Sequence, residues 1–124
     1  RKPLMELPLG SIKPKGWLHE MLVRQKNGAS GQMDVLYPSV MGKRNGWLGG
    51  DGDQWERGPY WIDGLLPLAY ILDDDVLKAK VQPWIEWALQ SQREDGFFGP
   101  EKIIRESLDC NVITRKTGGR VLSC

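Results

Sequence analysis

Pro59-Tyr60-Trp61-Ile62-Asp63-Gly64-Leu65-Leu66-Pro67-Leu68-Ala69-Tyr70-Ile71-Leu72 is the stretch on which the fold turns. Apolar side chains fall on nearly every side of the helix that this run predicts, with Asp63 its one charge. A helix apolar all round, yet too short to span a bilayer, reads as an inner helix covered by neighbours. Pro59 suits a first helical position. Pro67 removes one backbone hydrogen bond and predicts a kink. Asp63 is expected to be buried and hydrogen-bonded.

Downstream, Asp73-Asp74-Asp75 predicts the start of another helix, because an Asp can cap it and acidic groups suit the positive end of its dipole. Leu77, Val81, Trp84, Ile85, Ala88 and Leu89 form an apolar stripe opposite Lys78, Gln82, Glu86 and Gln90. That pattern predicts an amphipathic outer helix, bent or broken near Gln82 by Pro83 and ended by Asp95-Gly96. Upstream, Pro14 is expected to open a first helix, with Leu18, Met21, Leu22 and Gln25 on one side and Asn27-Gly28 as its stop. The fold class is therefore all-α, built of antiparallel helical hairpins. Asp34-Val35-Leu36-Tyr37 is the one short strand-like stretch.

A long Gly/Trp-rich loop, Gly28 to Gly58, precedes the inner helix, whereas almost nothing separates the inner helix from the outer one. Successive connections in an up-and-down array fall at alternate ends. This loop and Arg93–Pro100 are thus expected to meet, and structured loops gathered at one end are where function concentrates. Trp47 to Gly64 packs four carboxylates, five glycines and four aromatics into eighteen residues. Glycines allow close backbone approach, carboxylates accept hydrogen bonds from hydroxyls, and Trp offers a flat apolar face. Together they fit a hydroxylated ring such as a sugar. Glu56 and Asp53 are the candidate hydroxyl acceptors. Trp55 and Trp47 are candidate stacking platforms, and Phe97 joins them from the later loop. The structural alternative for Glu56 is a pair with Arg57 or Arg93, or a backbone cap. Trp84 and Trp87 are read as packing between helices.

The charge balance, 17 basic against 16 acidic residues with a net charge of +1, gives no argument for nucleic acid or an anionic membrane. No run approaches a membrane span, and the first residues carry no signal-peptide pattern. Cys110 and Cys124 with His19 match no zinc spacing. The length allows at most one domain.

Gly10-Ser11-Ile12-Lys13-Pro14-Lys15-Gly16-Trp17-Leu18 resembles the N-terminal signature of the β-L-arabinofuranosidase-like glycoside hydrolases, family 127 and its relatives. Trp47-Leu48-Gly49-Gly50, Trp55-Glu56-Arg57-Gly58-Pro59-Tyr60-Trp61, Trp84-Ile85-Glu86-Trp87 and Ser91 to Pro100 are similar to later blocks of that family, in its order. The resemblance implies that residues 1–100 are the N-terminal part of an (α/α)6 toroid that removes non-reducing-end sugars, commonly L-arabinofuranose. It implies an extracellular or periplasmic setting. It also implies a zinc-held cysteine nucleophile and a glutamate acid/base in a later part of the domain, so no catalytic or metal residue is assigned here. Residues 101–124 resemble nothing in the family and are read as a divergent tail. The alternatives are a non-catalytic carbohydrate-binding or structural helical fragment and a prenyl-substrate cyclase. The latter is disfavoured because Asp73-Asp74-Asp75 falls at the end opposite the loops.

Overall fold

The structure is a computed structural model and describes residues 4–100. Cys110, Cys124 and the divergent tail lie outside the described residues. The elements are α1 (Trp17–Asn27), α2 (Ala29–Leu36), α3 (Pro38–Met41), a 3-10 turn (Gly46–Leu48), α4 (Arg57–Leu72) and α5 (Asp75–Gln90). No strand occurs among the described residues, so the fold is all-α. No helix among them is long and apolar enough to cross a membrane.

The α4–α5 hairpin is the centre of the fold. Asp73 takes a left-handed conformation (φ 56°) and closes α4. Asp74 caps α5 by accepting a hydrogen bond from the Leu77 N–H at 3.0 Å. Lys26 of α1 also pairs with Asp74. That hydrogen bond and the Leu77 N–H hold its carboxyl below the usual carboxylate range. The core gathers Leu65, Leu68 and Ala69 from α4 with Leu77 and Val81 from α5. Leu22, Trp61, Ile62, Leu66 and Leu72 pack around it. Fully burying a side chain such as Leu65, Leu77 or Val81 is worth roughly 1.5–3 kcal/mol. Lys13 reaches across to the C-terminal end of α4, donating to the carbonyls of Tyr70 (2.9 Å) and Ile71 (3.0 Å).

Several boundaries depart from the sequence reading. The first helix begins at Trp17 rather than Pro14, because Gly16 adopts φ 58° and breaks helical continuity. The outer helix ends at Gln90, five residues before Asp95, and runs through Pro83 without a break. Asp34–Leu36 is helical, not strand-like. Part of the expected Gly28–Gly58 loop is α2 and α3. Weak helix formers such as Ser30, Gly31 and Asp34 are held there by tertiary bonds. The Trp61 indole N–H donates to Ser30 O at 2.7 Å, and Lys80 donates to Gly31 O at 2.9 Å and Asp34 at 2.7 Å. Packing overrides propensity in such cases.

The inner helix is not covered on every side. Asp63 is exposed, not buried, because it shares an open face with Tyr60 (72% exposed) and Gly64. A Cβ placed on Gly64 would meet nothing within 4 Å. The expected apolar side of α1 is also open: Leu18, Met21 and Gln25 are exposed, as is the neighbouring Trp17, and of that side only Leu22 reaches the core.

Candidate functional site

The segment between α3 and α4 is organised by Asn45, which is fully buried. Its amide nitrogen donates to Val40 O at 2.5 Å, and its amide oxygen accepts from Trp47 N at 2.8 Å. Its backbone carbonyl accepts from both Leu48 and Gly50 N–H groups. Cross-links from Gly46 N to Asp53 O (2.7 Å) and from Gly52 N to Arg44 O (2.6 Å) close the segment on itself. Arg44 grips Asp51 through two hydrogen bonds of 2.8 and 2.9 Å, and the first consequence is an Asp51 carboxyl held below its usual range.

This segment meets the Gln92–Pro100 loop, as the alternation of connections predicts. Trp47 packs edge-on against Phe98, with ring centroids 6.2 Å apart and planes at 73°. A Cβ on Gly46 would lie 3.0 Å from the Pro100 side chain. The later loop is folded by Arg93 N to Phe97 O at 2.8 Å, and by Asp95 accepting from Phe97 N at 3.1 Å.

The five candidate residues divide into two groups. Trp47 and Asp53 are engaged in the fold. The Trp47 indole donates to Trp55 O at 3.1 Å. Asp53 pairs with Arg57, and its side chain is only 5% exposed. Its other oxygen, Oδ2, is buried with no hydrogen-bond partner among the described residues. A buried acceptor left open this way costs about 1–3 kcal/mol. Trp55, Glu56 and Phe97 face solvent, Trp55 at 71% exposure. Glu56 stands at the N-terminus of α4 without capping it. The two arginines considered as its partners are used elsewhere: Arg57 holds Asp53, and Arg93 pairs with Asp95 at 3.0 Å. Trp55 and Glu56 therefore offer an indole face and a carboxylate that the fold itself does not consume.

A cavity of about 650 Å3 lies between α3 and α5 and is lined by none of these five residues. Trp61, Trp84, Trp87, Leu48, Lys43 and Gln90 contribute to its wall. Sequence reasoning missed it because one side is α3, hidden in a segment read as loop. The signal available in the sequence is Trp84-Ile85-Glu86-Trp87, whose two tryptophans line the cavity as well as pack between helices. Trp84 does pack, 7% exposed and edge-on to Trp61 at 5.9 Å. Trp87 rests on Gly49, where φ is 77° and a Cβ would stand 2.5 Å from its ring.

No group of three or more His, Cys, Asp or Glu side chains placed to hold a metal occurs among the described residues. The zinc that the family resemblance implies finds no fitting donor set in them. Comparison of the chain with protein-family models, with curated proteins and with solved structures finds no match.

Proposed function

We propose that residues 1–100 form the N-terminal part of an (α/α)6 catalytic domain of a β-L-arabinofuranosidase-like glycoside hydrolase, and that they contribute sugar-binding residues at its loop end. The observation that carries this reading is the pairing of Trp55, an indole 71% in solvent, with Glu56, a carboxylate with no side-chain partner among the described residues. The indole face covers the apolar C–H face of a sugar ring, and the carboxylate accepts hydrogen bonds from its hydroxyls. Trp47 acts through Trp55, anchoring its backbone from the side. Asp53 acts through Arg57 at the start of α4. Phe97 supplies apolar surface from the second loop.

The toroid is supported by the open faces of α1 and α4. Exposed apolar residues such as Trp17, Leu18 and Met21 of α1 mark an interaction site, and the following helical hairpins of the domain are the proposed cover of both faces. No bond-breaking step is assigned to this chain. In the complete enzyme, the nucleophile and its zinc belong to later sequence.

The test is an assay of purified chain 1–124 on a chromogenic L-arabinofuranoside with added zinc. The expected result is saturable binding of the glycoside, no turnover and no stoichiometric zinc. Turnover that survives Cys110→Ala and Cys124→Ala would overturn the proposed mechanism of the family for this protein. Turnover lost with Cys110 would place the nucleophile in this chain.

A further inference from the structure

The cavity between α3 and α5 is not used by the Trp55–Glu56 surface, and its chemistry is distinctive. Four ionisable side chains border it: Lys43 and Lys80 against Asp34 and Glu86. Two cations and two anions cancel, so the groove has no net charge with which to attract a phosphate or a simple cation. Lys80 is already bound to Asp34 at 2.7 Å and to Gly31 O at 2.9 Å. Lys43 and Gln90, in contrast, make no side-chain hydrogen bond among the described residues, leaving an ammonium and a carboxamide to serve hydroxyl groups. The volume, about 650 Å3, falls within the range of roughly 300–1,000 Å3 typical of ligand pockets.

We propose that this groove binds a neutral sugar residue and forms a second carbohydrate subsite. The proposal rests on the carbohydrate reading above and adds a place and a charge preference to it. The indole of Trp87 supplies the stacking wall. Its seat on Gly49 fixes the ring before any ligand arrives, which lowers the ordering cost of binding. The 3-10 turn links the two surfaces: Leu48 lines the groove, while the adjacent Trp47 holds the carbonyl of Trp55.

The chain carries six tryptophans, each giving one indole N–H signal in a nitrogen-15 correlation spectrum. Signals are assigned from single Trp→Phe variants. Titration of the labelled chain with arabinotriose is expected to move the Trp87 signal saturably, and inorganic phosphate is expected to leave it in place. The double variant Lys43→Ala/Gln90→Ala alters only exposed side chains. It is expected to weaken the Trp87 response about tenfold, the loss of one or two hydrogen bonds. If arabinotriose moves Trp55 but not Trp87, the groove proposal is overturned and the Trp55–Glu56 reading stands. If no indole signal moves, both fail. Movement of Trp87 with phosphate makes the groove an anion site. Movement with protein concentration alone assigns it to a second copy of the chain. Each of these last two results overturns the proposal.

Discussion

Replacing Trp84 by alanine is expected to destabilise the protein by about 3–5 kcal/mol, the range for truncating a buried aromatic. Trp84 is almost fully buried, meets Trp61 edge-on at 5.9 Å, and lies over Gly58. A Cβ on Gly58 would come within 2.6 Å of the Trp84 ring. Truncation removes that close contact between α4 and α5. Trp61 then loses its neighbour, and with it the fixed position from which it holds Ser30 of α2. Domains have total stabilities of only about 5–15 kcal/mol, so the variant should lose much of its cooperative urea transition at room temperature. A loss below about 1 kcal/mol would mean that the site relaxes around the missing ring.

The second large effect is expected from Asn45→Asp. The substituted side chain keeps an acceptor for Trp47 N–H but loses the donor to Val40 O, so a carboxylate oxygen faces a carbonyl oxygen in a fully buried position. An unsatisfied buried polar atom costs about 1–3 kcal/mol, and a buried uncompensated charge several more. Both burial and the facing carbonyl disfavour the charged form, so the carboxyl introduced has a raised pKa in the folded state relative to about 3.9 unfolded. Below the unfolded value the group is protonated in both states and the charge penalty is absent. The penalty grows as pH rises toward the folded pKa and is complete above it. The variant should therefore melt closer to wild type at pH 4 than at pH 7, whereas Asn45→Ala should show the same deficit at both. Equal deficits for Asn45→Asp at the two pH values would show that Asn45 is not sealed from water.

The parts of the fold that were legible in the sequence are those dictated by local chemistry. The capping Asp74, the apolar stripe of α5 and the extent of α4 to Leu72 follow from spacing and side-chain type. So does the meeting of the two loops, which is a consequence of connection lengths. The parts that were not legible depend on tertiary contacts. The helical state of Ala29–Leu36 rests on bonds from Trp61 and Lys80, residues about thirty and fifty positions away in the chain. The exposure of Asp63 rests on what fails to cover one side of α4, which composition cannot reveal. The candidate site was half legible. Aromatic, acidic and glycine residues together singled out the segment between α3 and α4. Yet nothing local distinguished Trp47 and Asp53, which the fold engages, from Trp55 and Glu56, which it leaves open. The groove beside Trp87 could not be read without α3.

The central claim, that the loop end binds a sugar through Glu56, is tested most directly by Glu56→Gln. This change keeps the shape of the side chain and removes its charge. Equilibrium binding of methyl L-arabinofuranoside should be compared with thermal melting for the wild-type and variant chains. Hydrogen bonds to charged groups contribute about 1.5–3 kcal/mol, so affinity should fall about 10- to 150-fold. The melting temperature should stay within a degree or two, because the Glu56 side chain caps nothing. Unchanged affinity with a lowered melting temperature would contradict the account and make Glu56 a structural residue.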